Sequence, residues 1–133
     1  MAIVDRRSLP VAVHVASASP AEVRLVEPTL DARFLADVPP RLIGDKAYDS
    51  DPLDEHLLQT FGLDLIAPHK DNRVRPRTQD GRALRRYKRR WVVERFFAWL
   101  HNCRRLVTRW EHHVENFVAM LQLGCMRILL RHL

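Results

Sequence analysis

Glu94 is the one carboxylate in Tyr87-Lys-Arg-Arg-Trp-Val-Val-Glu94-Arg-Phe-Phe-Ala-Trp-Leu100, a stretch otherwise made of cations and large apolar side chains. A helix turns roughly 100° per residue, so Tyr87, Arg90, Glu94 and His101 are predicted to share one narrow stripe. Val92, Phe96, Trp99, Leu100 and Cys103 collect on a separate apolar arc that would face a core. An acid held among cations on an anchored helix suits a metal ligand at a phosphate-handling site; the plainer alternative is a surface ion pair with Arg90 or Lys88. A second acid, Asp45, stands in Leu42-Ile-Gly-Asp45-Lys-Ala-Tyr-Asp49, at the end of a predicted buried strand. That is the sheet edge where α/β proteins place ligands. Transfer or hydrolysis of a phosphodiester uses carboxylates that hold divalent ions, and oxygen ligands suit magnesium or manganese. The plainer alternative for Asp45 is a turn or cap residue, a role aspartate favours.

Charge distribution supports a polyanionic partner. Residues 1–67 carry 6 Lys and Arg against 11 Asp and Glu, a net of −5, whereas residues 68–110 carry 14 against 3, a net of +11. Neutralising phosphates releases counterions and drives association with nucleic acid. A membrane surface ranks below it, because the basic segment is interrupted by Pro76 and Gly81 and its helix is basic nearly all round. The first residues lack the apolar core of a signal peptide, and no apolar run is long enough to span a bilayer. Cys103 and Cys125 read as reduced core thiols of a cytosolic protein. The paired ligand spacings of a zinc site are missing from the sequence. Neither a Gly-rich phosphate loop nor a glycine-flanked nucleophilic serine occurs.

The elements that must hold the two acids follow from pattern. Residues 1–17 predict a hairpin with Asp5 in its turn. Ser19 and Pro20 predict the cap and first turn of a helix over 20–35, with Val23, Val26 and Leu30 buried and Leu25 and Phe34 flanking. A strand over 41–44 leads to Asp45. Asp51 and Pro52 open a second helix, with Asp54 and Glu55 at the positive end of its dipole, and Gly62 stops it. Its apolar face is Leu53, Leu57, Leu58 and Phe61. A strand over 63–67 and a basic loop over 68–82 come next. A long helix over about 84–106 then carries Glu94, and a last helix over about 114–130 buries Phe117, Val118, Leu121, Cys125 and Ile128. His112 and His113 fall in the turn before it. Trp91 and Trp99 read as core anchors, Trp110 is open between packing and DNA contact, and Leu129, Leu130 and Leu133 are candidates for a dimer contact. The sum is one small mixed α/β domain over 1–133: sheet and helices to residue 67, the basic loop, and a helical region over 83–133.

Several separated motifs carry a resemblance. Ile43-Gly-Asp-Lys-Ala-Tyr-Asp-Ser50, Ile66-Ala-Pro-His69, Arg85 through Leu100, Arg104-Arg-Leu and Arg109-Trp-Glu111 together closely resemble bacterial insertion-sequence DDE transposases. The resemblance implies an RNase H-like fold, here partial, and three acids that hold two magnesium (or manganese) ions for strand nicking and transfer. It makes Asp45 the second acid and Glu94 the third, both metal ligands. Tyr87 and Arg90 match the tyrosine and arginine that grip transposon-end DNA, with Arg85, Arg86, Lys88 and Arg89 as further DNA contacts. His101 stands where the family often has a basic residue, so Arg104 or Arg105 would supply that cation. The family's first aspartate has no counterpart, since Asp5 falls in the hairpin turn. The implied protein is a truncated or split-frame DDE transposase, acting in the bacterial cytoplasm on transposon ends and target DNA. Its partner would be an upstream half or a full-length transposase. The alternative is a non-catalytic DNA-binding fragment, an inhibitor or a remnant.

Overall fold

Alternating side chains send the apolar residues of the amino-terminal hairpin to two opposite faces, and each face has its own core. The computed structural model describes residues 1–78, 81–89 and 91–132, the side chain of Arg89 excepted. Strand β1 (Ala2–Val4) pairs antiparallel with β2 (Pro10–Val13), setting Ala2 opposite Val13, Ile3 opposite Ala12 and Val4 opposite Pro10. The register skips a residue at Val11, a bulge whose carbonyl accepts the Phe34 amide at 2.8 Å. Asp5 holds the turn as predicted, its Oδ1 accepting the Arg7 and Leu9 amides at 2.8 Å each.

The second pair is parallel. Strand β3 (Arg41–Ile43) and β4 (Asp64–Ile66) are joined through a helix over Asp51–Phe61, and the two pairs remain separate two-stranded sheets. The helices are α1 (Val26–Asp31), α2 (Asp51–Phe61), α3 (Gly81–Leu84), α4 (Trp91–Leu100), α5 (Arg104–Val107) and α6 (Val114–Leu130). Ile3 and Ala12 face a core built with Val26, Leu30, Leu57, Leu63 and Leu65. Val13 faces the other, built with Phe96, Leu100, Cys125 and Ile128. The chain is therefore a mixed α/β protein in which the hairpin separates two apolar clusters. None of the helices, among the described residues, is long and apolar enough to cross a membrane.

Three predicted elements differ. The helix expected over 20–35 is a 3-10 turn over Glu22–Leu25 followed by the six residues of α1, with Ala21 rather than Ser19 at its start. Pro28 explains the shortening. It lacks an amide and its ring crowds the carbonyl four residues back, so it is accommodated only in a first turn. Val26 and Leu30 are buried as expected, whereas Phe34 is 39% exposed where the chain leaves to bridge Ala12 with Arg33. In α2 the cap residue is Ser50, Pro52 lies in the first turn, and Leu58 is 60% exposed. Gly62 ends α2 in the left-handed region at φ 63°, as predicted. Strand β3 is not buried: Arg41 and Ile43 are exposed, and the buried strand of the pair is β4.

The largest difference is the helix expected over 84–106. It is broken into α3, a 3-10 segment over Arg85–Arg89, α4 and α5. The first break falls in the cationic run Arg85, Arg86, Lys88 and Arg89. At the other end, the Cys103 amide bonds the Leu100 carbonyl at 2.8 Å and the chain folds back. Leu106 thereby reaches α6 at Gly124, where an added Cβ would stand 2.9 Å from Leu106 and 3.1 Å from Leu100. The apolar arc predicted for α4 holds nonetheless, with Val92, Phe96 and Leu100 buried. Phe96, wholly buried at the centre of the second core, tests this arrangement: Phe96→Ala should cost about 3–5 kcal/mol of unfolding free energy in urea titration.

Candidate active site

Gly44 ends β3, and an added Cβ there would lie 2.8 Å from the Tyr48 ring, so glycine lets the ring fold back over the strand end. Asp45 follows, exposed, as the cap of a 3-10 turn over Lys46–Tyr48; its Oδ1 accepts the Ala47 amide at 2.8 Å. Asp45 is thus both the turn residue of the plainer reading and a carboxylate at the carboxyl end of a parallel strand. The phenol of Tyr48 is raised above its ordinary range, first by burial and then by the charge of Asp45 and Glu22.

Directly after Asp45 comes an enclosed polar cluster. Asp49, whose side chain is 5% exposed, accepts His69 Nδ1 at 2.8 Å, the Lys70 amide at 2.8 Å and Arg73 at 2.9 Å. Burial pushes the Asp49 carboxyl up, but these donors more than offset it and hold it below its ordinary value. Arg73 also reaches Asp51 at 2.6 Å and the Pro76 carbonyl at 3.0 Å, and Arg75 meets Asp51 at 3.2 Å. The Thr78 amide donates to His69 Nε2 at 3.2 Å, which leaves Nδ1–H to face Asp49. Lys46 reaches across to Asp71 at 2.8 Å. Asp54, beside these acids, carries a buried oxygen without a hydrogen-bond partner. Its carboxyl is pushed up to about 6, first by burial and then by Asp51 and Asp49. Burial, not the helix dipole, governs it.

These ties change the reading of the basic loop. Arg73 is largely buried and neutralised within the fold, and Arg75 is exposed but paired with Asp51. Sequence reasoning missed the role of Asp49, His69 and Arg73. The signal available was the acidic run Asp45, Asp49, Asp51, Asp54 standing against a cationic run of similar length at 69–77.

Glu94 is exposed on α4, which packs on β1 and α6 rather than on the β3–β4 pair. Tyr87 lies in the 3-10 segment and His101 in the turn after α4, so neither shares a regular α-helix with Glu94. Arg90 lies outside the described residues. Arg85, Arg86 and Lys88 are exposed, and on α5 so are Arg104 and Arg105, the latter 3.9 Å from Glu111. Arg95 is not available to a ligand: its Nε donates to the buried Ser8 hydroxyl at 2.7 Å and its guanidinium lies between the Trp91 and Trp99 rings, 4.8 and 5.2 Å from their centroids. Trp91, predicted as a core anchor, is 49% exposed and serves as a cover for that guanidinium, whereas Trp99 is half-buried against the second core. No three His, Cys, Asp or Glu side chains among the described residues gather closely enough to hold a metal ion. Cys125 is buried and Cys103 half-buried, both free thiols.

An acid at the end of a parallel strand, another on a later helix and a run of exposed cations between them match a known order. Residues 1–129 match the model of the transposase DDE domain. The chain belongs to the DDE transposases of insertion sequences. Over 131 residues it is 34% identical to a Burkholderia cepacia protein assigned as the transposase for insertion sequence element IS402, covering 92% of this chain. The chain spans 58% of the length of that curated relative. No solved structure matches it.

DDE transposases use divalent metal ions. Asp45 and Glu94 stand on separate elements, and Asp45 has one oxygen committed to its turn. What the chain does build is a strap around Asp49 that ties the 3-10 turn over Lys46–Tyr48 and the start of α2 to the loop at 69–78. Arg73→Gln should therefore act as a stability variant, lowering the urea midpoint by removing one of the three donors to Asp49 and the cation of Asp51. Limited proteolysis should then cut within 70–78, with the salt dependence of DNA binding nearly unchanged. Asp54→Asn should raise the thermal midpoint at pH 7. The folded form favours protonated Asp54, so its contribution is complete below the unfolded value of 3.8 and is lost as pH rises through about 6. Solvent screening of a partly exposed group holds the gain to about 1 kcal/mol, and thermal unfolding from pH 4 to 7.5 checks it.

Proposed function

We propose that residues 1–133 are the carboxy-terminal part of the catalytic domain of an insertion-sequence transposase with a partial RNase H-like fold. Asp45 is its second acid and Glu94 its third. Tyr87, Arg90 and the run Arg85, Arg86, Lys88 and Arg89 bind transposon-end DNA, with Arg104 and Arg105 extending the basic surface. The observation that carries this reading is Asp45: an exposed carboxylate at the carboxyl end of a parallel strand, in a chain whose residues 1–129 match the transposase DDE domain. Ligand sites of α/β sheets lie at that edge. The first acid comes from polypeptide outside these residues, either an upstream half or a full-length copy, working on bacterial DNA in the cytoplasm. The two separate strand pairs support it, because unpaired strand edges invite a further strand.

The chain's own residues then have defined tasks. The cations hold the phosphodiester backbone, and the Asp49–Arg73 strap keeps Asp45 at one place relative to the basic loop. A magnesium or manganese pair, once the acidic set is complete, supplies the activated water and the stabilised leaving oxygen. Geometry matters because a small misplacement of a reacting group costs roughly a hundred-fold in rate.

The test uses the purified chain and a labelled transposon-end duplex with magnesium or manganese. Alone, the chain should bind but not cut. Supplying the upstream half should restore cutting, and Asp45→Asn or Glu94→Gln should then each lower it by roughly a hundred-fold or more. Magnesium-dependent cutting by the chain alone, abolished by Glu94→Gln, would overturn the need for an outside acid. The competing reading is a DNA-binding module without catalysis, supported by the exposed cations Arg85, Arg86 and Lys88. It requires that no upstream half restore cutting, and that neutralising Arg85, Arg86 and Lys88 shrink the salt slope of binding by about one per lost phosphate contact.

A further inference from the structure

Trp110 is 75% exposed, the most solvent-accessible aromatic side chain of the described residues, in a short connection between α5 and α6. An indole this open gains nothing from a core, so packing does not account for it. The connection under it is nevertheless braced. Arg109 donates from Nε to the Glu111 carbonyl at 3.0 Å and from a terminal nitrogen to the His112 carbonyl at 3.4 Å, and its guanidinium lies 5.7 Å from the Phe117 ring centroid. Glu111, the one acid of the connection, turns inward: its side chain is 12% exposed and lies 3.9 Å from Arg105. Exposed on the segments either side of Trp110 are Arg104 and Arg105 on α5, His112 and His113 before α6, and one acid, Glu115, in the first turn of α6.

We propose that Trp110 is a stacking platform for an unpaired nucleobase of the DNA strand that the flanking arginines hold by its phosphates. This rests on the DNA-handling reading above and adds to it the kind of DNA contacted at this point. Aromatic faces beside cations are how proteins hold single strands, because every base offers a π-face while the backbone offers charge. A base inside an intact duplex has both faces covered by its neighbours, so the indole selects frayed or single-stranded DNA. A protein partner could also cover an exposed tryptophan. The inward turn of Glu111 and the exposed arginines of α5 favour a polyanion instead.

The full chain carries three tryptophans, Trp91, Trp99 and Trp110, so intrinsic fluorescence reads the contact directly. A short single-stranded oligodeoxynucleotide and the same sequence as a blunt duplex are titrated at low and moderate salt. The single strand should quench the wild-type signal. Trp110→Ala should lose most of the quenching and bind the single strand roughly ten-fold more weakly, while its duplex binding changes less than about two-fold. Trp110→Phe, with circular dichroism confirming the fold of both variants, should retain most of the affinity. Unchanged quenching and affinity in Trp110→Ala, or an equal loss on duplex and single strand, overturns the proposal and leaves the transposase reading standing. A change in oligomeric state on sedimentation with DNA binding intact overturns it in favour of a protein contact. Failure of the wild-type chain to bind either DNA overturns both this proposal and the DNA-binding part of the function proposed above.

Discussion

The amino-terminal hairpin has to satisfy two cores at once, and most of the architecture follows from that constraint. Two short strands expose two apolar faces, and a two-stranded ribbon is marginal on its own in water. Here Ile3 and Ala12 are covered by α1, α2 and β4 side chains, and Val13 by α4 and α6. The bulge at Val11 lets β2 serve both, and it also frees a carbonyl for Phe34, which closes part of the strand's outer edge. Arg95 ties the same hairpin to α4 through Ser8 in the turn, which adopts φ 69° and is fully buried. Both carbon scaffolds on which the candidate acids stand are thus referred to one ribbon.

The electrostatics divide by depth. Deep positions are neutralised locally: Asp49 by three donors, Arg73 by two carboxylates, Arg95 by aromatic faces and a hydroxyl. A buried carboxylate without such partners would shift its proton equilibrium, as Asp54 does. Shallow positions keep their charge for solvent or a ligand, among them Arg85, Arg86, Lys88 and Arg104. The net charge of the basic segment therefore overstates what it can offer DNA, because some of its arginines serve the fold.

The split of the predicted long helix has the greatest consequence for the site. A continuous helix would put Tyr87 and Glu94 on one stripe at fixed separation. The 3-10 segment changes the turn per residue and so the direction in which Tyr87 leaves the chain. The kink after Leu100 has a packing cause: Gly124 leaves room on α6 for Leu100 and Leu106 together, which a straight helix could not deliver. In the same way Pro28 limits α1, so that the chain beyond it is free to bridge β2.

Periodicity and punctuation were enough to find the hairpin, the Asp5 turn, the Gly62 stop, both strands of the parallel pair, the apolar arc of α4 and the span of α6. Each rests on local chemistry: side-chain alternation, a missing Cβ, an apolar face repeating every three to four residues. The family, and with it the candidacy of Asp45 and Glu94, was also legible, since motif order survives in the linear chain. Tertiary structure alone decided the rest. Whether Arg73 binds a phosphate or a buried aspartate depends on which residues lie 22 and 24 positions away in sequence yet within hydrogen-bond distance in space. Whether Trp91 packs or covers a guanidinium, and whether Trp110 packs at all, depends on which side of each element the two cores occupy. Local propensity records what a residue can do; only the fold supplies the neighbour that makes it do one thing rather than another.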